Sequence, residues 1–440
     1  MLFHTSIYLL IFLPLVVGIY FILNKIKKNL AIIFIVLAGL FFYGYWSIKY
    51  IPLIIITILF NFYIGKILLE DKENKKKILF FGIFINILSL IIFKYNNFFL
   101  QNLNFLFNFN LDDLSIELPL AISFFTFQNI IYLVDCYDKN IKDVTFSKFF
   151  LFIIFFPQLI AGPIVKFANI VPQFMRLENK KINLNNLFCG IIIIFIGLLK
   201  KILFADNLQL ISDYGYENYL NLSTLESWLT TLSFSFQFYF DFSGYVDMAI
   251  GSALLFNIRL PKNFDSPFKA ESIINFWQRW HITLSNFLTN YLFYYWYRSL
   301  KVKNFLNSMI IIFFVFLVAG LWHGPSWLFV IFGAFHGIGI ICNHIFNKIL
   351  NLRLSRIISI FLTFNFVNIS FIFFRSESLN QSLILIQNMF FSFIFKNNIF
   401  ISNQELFYLF LSFFIIFFFK NTGYLLESIS NNQIPIKEKN

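Results

Sequence analysis

The chain has 440 residues, of which 59% are hydrophobic, 22% aromatic and 13% charged, and its mean hydropathy is +0.74. So little polar surface cannot cover a water-soluble globule, which excludes a soluble enzyme and implies a polytopic membrane protein. The net charge of +12 does not imply nucleic acid as a partner, because the basic residues sit in short loops between apolar runs, where the positive-inside rule accounts for them.

With a span of about 20 residues as the ruler, the apolar runs read in chain order as membrane helices near 6–23, 30–46, 49–69, 78–95, 119–135, 188–204, 228–256, 306–321, 325–346, 357–374 and 405–419. That predicts eleven crossings in one integral membrane domain, 1–440. The runs are continuous rather than alternating, which excludes a transmembrane barrel and leaves helices to do the spanning. Residues 1–24 contain no Lys or Arg, and the cluster Lys25-Ile-Lys-Lys28 follows the first run, so that run reads as a retained helix and not a cleaved signal. Cys136, Cys189 and Cys342 lie in or beside apolar runs without CxxC spacing, which suggests neither a disulfide framework nor a metal site.

Orientation follows from where the cations gather. The clusters at 25–28, 66–77, 166–181, 259–279, 348–356 and from Lys420 onward share one side if the N-terminus is outside and the C-terminus inside. Residues 205–227 fall on the other side and carry Asp206, Asp213, Glu217 and Glu226 with no basic residue. The alternation requires that 148–165 and 283–297 enter the membrane and return on the same side. Pro157 and Ala161-Gly162-Pro163 interrupt the first; His281, Thr283, Ser285 and Asn286 border or enter the second. Irregular backbone at membrane depth needs protein or a water-filled cavity around it, so a polar cavity opening to the cytoplasm is expected. The chain has no internal repeat, which counts against an inverted-repeat transporter.

Residues 231–298 differ from their surroundings. The stretch holds Asp241, Ser243 and Asp247, then Arg259-Leu-Pro-Lys-Asn-Phe-Asp265, then Phe276-Trp-Gln-Arg-Trp-His-Ile-Thr283. About forty residues later comes Trp322-His323-Gly324-Pro325. Ionisable groups at membrane depth are expensive and persist for chemistry or for a transport path, which singles out His281 and His323. A helix over 275–285 would put Trp277 and His281 on one face at i, i+4. His336 and His344 lie in an apolar helix and read as satisfied packing or interfacial residues. Asp241 and Asp247 either line a polar path or pair with Arg or backbone groups.

Trp277-Gln-Arg-Trp280-His281 followed by Trp322-His323-Gly324 resembles the membrane-bound O-acyltransferase family. Phe242-Ser-Gly-Tyr-Val-Asp-Met-Ala-Ile-Gly251, Leu260-Pro-Lys-Asn-Phe-Asp-Ser-Pro-Phe268, Ile122-Ser-Phe-Phe-Thr-Phe-Gln128 and Ala161-Gly-Pro-Ile-Val165 are similar to its bacterial alginate and peptidoglycan O-acetyltransferase branch. The resemblance covers roughly 119–345. It lapses at Tyr291-Leu-Phe-Tyr-Tyr-Trp-Tyr-Arg298, where alginate-type members carry a Tyr-Ile-Pro-Leu-Gly-Gly-like segment.

The resemblance implies an all-α membrane protein with helices and re-entrant segments around a central tunnel. It implies an O-acetyltransferase of the bacterial cytoplasmic (inner) membrane that uses acetyl-CoA as acyl donor and holds no bound cofactor or metal. His323 takes the place of the principal catalytic histidine and His281 that of the second; Trp277, Trp280, Trp322, Asp241, Ser243 and Gln128 are candidates to line the tunnel or contact substrate. A neutral imidazole, with an ordinary pKa of about 6.5, suits removal of a hydroxyl proton. The chain carries no Gly-x-Ser-x-Gly elbow, so a separate extracytoplasmic SGNH-type transferase is the expected partner. The acceptor is then a cell-envelope polysaccharide, with peptidoglycan the first choice. D-alanyl or other acyl transfer to teichoic acid or capsule is the alternative within the family, and a secondary transporter the alternative outside it.

Overall fold

A computed structural model of the chain describes residues 1–70, 73–160, 162–346, 354–392 and 400–424. Ala161, most of the basic stretch at 348–356 and most of the tail beyond Lys420 therefore lie outside the described residues. Helices account for all regular structure among the described residues, and they occupy each of the eleven apolar stretches read from the sequence. Seven are long and apolar enough to cross a membrane, among them Ile7–Ile26, Ile48–Leu69, Phe305–His323, Trp327–Ile345 and Arg356–Arg375. Two more, Lys28–Gly44 and Asn403–Phe418, are apolar but shorter. The chain is a multi-pass α-helical membrane protein.

The contacts divide it into two compact units, each described by itself. The first comprises Met1–Ile194 with Met248–Pro261. It contains α1 (Leu13–Ile26), α2 (Lys28–Gly44), α3 (Ile51–Leu69), α4 (Lys75–Leu90), α5 (Asn96–Phe107), α6 (Ile122–Tyr137), α7 (Phe146–Ile154), α8 (Phe156–Leu159), α9 (Phe167–Met175) and the start of α10 (Leu184–Leu199). Its core is aromatic: Phe12 stands 5.1 Å from Phe156, and Phe256 lies 5.9 Å from Phe156 and 5.4 Å from Tyr20. Tyr8 is fully buried here and donates its hydroxyl to Ser252 Oγ at 2.9 Å, satisfying the one polar atom that its burial brings in. Asn61 on α3 and Asn86 on α4 pair through their amides at 2.7 and 3.2 Å. The 148–165 stretch is broken as its prolines suggest: α7 stops at Ile154, Phe155 turns to φ −59°, ψ 102°, and Pro157 starts the next helix. Residues 151–156 are fully buried.

The second unit comprises Phe195–Asp247 with Lys262–Asn440. It holds α11 (Asp206–Glu217), most of α12 (Thr224–Leu254), α13 (Ile273–Trp277), α14 (Ile282–Phe287), α15 (Tyr294–Ser299), α16 (Phe305–His323), α17 (Trp327–Ile345), α18 (Arg356–Arg375), α19 (Leu379–Phe391) and α20 (Asn403–Phe418). The best-packed pair is the α16–α17 hairpin. Its helices approach through glycines: a Cβ at Gly320 would stand 2.2 Å from the Phe329 carbonyl oxygen, and one at Gly333 2.3 Å from that of Phe316. In lipid, where burial gives helices no solvent-driven attraction, such close backbone approach supplies the packing energy. The hairpin corner is Gly324-Pro325-Ser326, so His323 ends one helix at the turn into the next.

Candidate active site

Two motif segments are laced together by their backbones. The Asn263 carbonyl accepts from the Ile282 N–H at 2.9 Å, and the Arg279 carbonyl accepts from the Asp265 N–H at 2.9 Å. Arg279 adds its guanidinium, donating to Asn275 Oδ1 at 3.0 Å and to the Asp265 carbonyl at 3.3 Å. These bonds occupy groups that a helix through 275–285 would use internally. Accordingly α13 ends at Trp277, His281 takes a left-handed conformation (φ 45°, ψ 52°), and α14 begins at Ile282. The expected single helix is thus corrected, and Trp277 and His281 belong to different elements. Left-handed backbone at a residue with a side chain costs about 1–3 kcal/mol and persists only where its surroundings impose it.

The lacing sets the state of His281. Asn263 Oδ1 accepts from the Thr283 N–H at 3.0 Å and from the Thr283 hydroxyl at 2.9 Å, and it lies 3.3 Å from His281 Nδ1. A backbone N–H can only donate, so the atom it meets on Asn263 is the carbonyl oxygen. Nδ1 of His281 must then carry the proton. Its Nε2 is left with a bare lone pair; it is buried and has no hydrogen-bond partner among the described residues. A buried acceptor without a donor costs roughly 1–3 kcal/mol, and it is the state a proton-accepting imidazole needs.

Trp322 brings the second histidine to the same place. Its ring centroid lies 6.0 Å from that of His281 and 4.9 Å from that of His323. Phe242 closes on His281 at 4.9 Å. Around His323 stand Phe374 at 5.1 Å and Phe332 at 5.7 Å, leaving the imidazole half-buried at the C-terminus of α16.

The other predicted residues separate by environment. Trp277 donates its indole N–H to His336 Nδ1 at 3.1 Å, and His336 Nε2 meets Ser370 Oγ at 2.9 Å. Because Ser370 donates onward to the Val367 carbonyl at 2.7 Å, His336 is held neutral with the proton on Nε2 and both nitrogens occupied. It is a satisfied packing residue. Trp280 is buried among Phe264, Phe238 and Phe371 at 5.1 to 5.4 Å. Asp241 pairs with Lys201 at 2.7 Å, and Asp247 with Lys200 at 2.6 Å, so the cations that answer these carboxylates are lysines at 200 and 201 and not arginines. Ser243 is buried on α12, with no partner for its hydroxyl among the described residues. Gln128 lies in the first unit, buried on α6 with its Oε1 unpartnered.

Residues of α13 to α17 line a half-open cavity of about 800 Å³, whose wall includes His344 and Ile282, the chain neighbour of His281, but neither His281 nor His323. Trp277 and Ile282 form part of its wall, Ile312 and Phe316 another part, and Lys303 and Asn304 supply polar groups. Asn263, which the sequence shows only within the Leu260–Phe268 motif, and Thr283, which it shows only as a polar residue bordering the 283–297 segment, together set the His281 tautomer. The signal available was their place in two polar runs flanking a histidine.

The sequence model of the membrane-bound O-acyltransferase family (MBOAT) matches residues 40–383. The chain belongs to the membrane-bound O-acyltransferase family. It is an O-acyltransferase, and the family match extends beyond the 119–345 core read from its motifs. It is similar to the peptidoglycan O-acetyltransferase of Helicobacter pylori, at 40% identity over 421 residues, covering 88% of this chain and 80% of that one. It is also similar to the probable alginate O-acetylase AlgI of Pseudomonas putida, at 32% identity over 395 residues (86% and 78%). The teichoic acid D-alanyltransferase of Bacillus subtilis matches at 29% over 271 residues, 59% of this chain and 69% of that one. In the second unit the two motif histidines, His281 and His323, meet at Trp322. Among the described residues, no group of three or more His, Cys, Asp or Glu is placed to hold a metal ion.

Proposed function

We propose that this acyltransferase moves an acetyl group from cytoplasmic acetyl-CoA to a hydroxyl presented from the far side of the membrane, for O-acetylation of peptidoglycan. The observation that carries the reading is the meeting of the two motif histidines at Trp322, with the His281 Nε2 lone pair unoccupied. The relative's name at 40% identity supports acetyl over D-alanyl and peptidoglycan over other polymers.

In this reading the thioester arm lies in the 800 Å³ cavity, whose wall includes Ile282, the residue after His281. His323 removes the proton from the acceptor hydroxyl as its oxygen attacks the thioester carbonyl carbon. The neutral His281 can accept a hydrogen bond at Nε2 but cannot donate one there, so it does not stabilise the oxyanion; the single proton of the acceptor hydroxyl goes to His323, and His281 orients the acceptor by accepting from a neighbouring N–H or O–H of it. Collapse of the tetrahedral intermediate breaks the C–S bond, and the proton held by His323 goes to the departing thiolate, giving an acetyl ester and free coenzyme A. General-base help of this kind supplies roughly a hundred- to ten-thousand-fold, and positioning of donor and acceptor supplies much of the rest.

The cation pattern supports an N-terminus outside and a C-terminus inside, in the bacterial cytoplasmic membrane. The acceptor side then faces the envelope, and an exported SGNH-type transferase receives the acetyl group and passes it to the glycan. The test is release of coenzyme A from acetyl-CoA by purified protein, compared with a His323→Ala variant. Release by the wild type alone supports the reading; equal release by both removes His323 from it.

A further inference from the structure

Helix α5 and the chain that follows it form a built arm. Asn97 pairs with both backbone groups of Leu114, donating to its carbonyl at 3.1 Å and accepting from its N–H at 2.9 Å. Asn104 does the same with Leu111, at 2.8 and 2.9 Å. Gln101 between them donates to Asp113 at 2.9 Å. The base of the returning segment is tied by Glu117, which pairs with Lys49 and whose carbonyl accepts from the Tyr50 hydroxyl. Positions 97, 101 and 104 share one face of α5, so the polar face is used up in holding the arm together.

The opposite face is left apolar and bare. Phe99, Leu103 and Leu106 follow one another at helical spacing, and Phe105, Phe107 and Phe109 complete the tip. Phe105 is 83% exposed and Leu106 68%, and none of the twelve residues of α5 is buried. Lipid tails do not account for this face. Lys75–Tyr95 already run about 30 Å at about 1.5 Å per residue, the thickness of the hydrocarbon core, and Tyr95 departs from helical backbone (φ −114°, ψ 0°), so α5 stands beyond the core. A helix lying on the membrane surface carries Lys and Arg on its polar face. Residues 96–118 contain no Lys or Arg and three carboxylates, Asp112, Asp113 and Glu117.

We propose that this arm is the docking surface for the exported protein that receives the acyl group, a partner presenting an apolar patch bordered by Lys and Arg. The inference rests on the transfer reading and on the cation pattern, by which the 66–77 cluster is inside, the helix at 78–95 crosses, and residues 96–118 fall outside. The apolar stripe supplies the buried contact and the acidic edge selects and orients the partner.

The experiment places photoreactive benzoylphenylalanine at position 106 of the full-length protein in living cells. In parallel it measures envelope O-acetate for Phe105→Ser combined with Leu106→Ser, and for Asp112→Lys combined with Asp113→Lys. The expected crosslink is to one exported protein whose own deletion removes the same O-acetate. Both double variants should lower O-acetate about tenfold, the size of a hot-spot loss, while purified protein releases coenzyme A as the wild type does. Crosslinks only to phospholipid, only to a second copy of this chain, or to nothing overturn the proposal, as does wild-type O-acetate in both arm variants. If the transfer reading itself is wrong, the wild type releases no coenzyme A, an outcome separate from failure of the arm.

Discussion

Asn263 decides which nitrogen of His281 carries the proton. Its side-chain oxygen is pinned by the backbone N–H and hydroxyl of Thr283 and so meets His281 Nδ1 at 3.3 Å as an acceptor, leaving Nε2 as the bare lone pair. Asn263→Leu would strip three buried donors of their acceptor, at about 1–3 kcal/mol each. Asn263→Asp keeps an oxygen for all three. Initial rates of coenzyme A release should therefore fall much further in the leucine variant than in the aspartate variant. Equal losses in the two would mean that Asn263 acts on His281 in some other way.

His323 terminates α16 at the hairpin corner, and nothing in the Gly320–Gly333 packing depends on its side chain. His323→Ala should insert at wild-type levels and lose acyl transfer by about a hundredfold or more, the scale of lost general-base catalysis. Quantitative blotting of membranes alongside coenzyme A release separates the two effects.

His336 offers the contrast. Both its nitrogens are engaged, by Trp277 and by Ser370, and it ties α13 to α17 and α18. His336→Leu leaves the Trp277 indole N–H and the Ser370 hydroxyl without that partner, so the detergent-solubilised protein should melt earlier by the equivalent of about 1–3 kcal/mol. The fraction that stays folded should keep more activity than His323→Ala. Abolished turnover at an unchanged melting point would instead put His336 in the chemistry.

Lys200 and Asp247 form a buried ion pair at 2.6 Å, and Thr422 touches both, accepting from Lys200 at 2.9 Å and donating to Asp247 at 2.8 Å. Removing one charge of a buried pair strands the other and costs roughly 3–5 kcal/mol, whereas replacing both by apolar groups of similar size is close to neutral. Lys200→Met alone should destabilise strongly, and Lys200→Met combined with Asp247→Leu should recover most of the loss. Thermal melts that show additive damage would contradict this coupling.

The broad fold was open to reading from the sequence because lipid imposes one rule on every apolar run: satisfy the backbone internally, as a helix. Trp277, His281, Trp322 and His323 stand out in the sequence for a related reason, since polar groups in such company are expensive, and the structure brings His281 and His323 together at Trp322. The break at His281 does not stand out there. It depends on backbone bonds between Asn263 and Ile282 and between Asp265 and Arg279, pairs that local periodicity cannot show. The lysine partners of Asp241 and Asp247 are hidden similarly, because Lys200 and Lys201 fall inside the apolar run 188–204 and belong to none of the cation clusters that set the orientation. Asn97 and Asn104 read only as polar residues in a loop, although their side chains fasten the arm.

The most direct measurement is ester-linked acetate in the envelope of a deletion strain carrying either the wild-type chain or its His323→Ala variant, with peptidoglycan assayed apart from other glycans. Wild type should restore O-acetate to peptidoglycan and His323→Ala should not, with equal amounts of protein in the membrane. Unchanged O-acetate in every fraction after deletion, or full restoration by His323→Ala, would contradict acetyl transfer at this site.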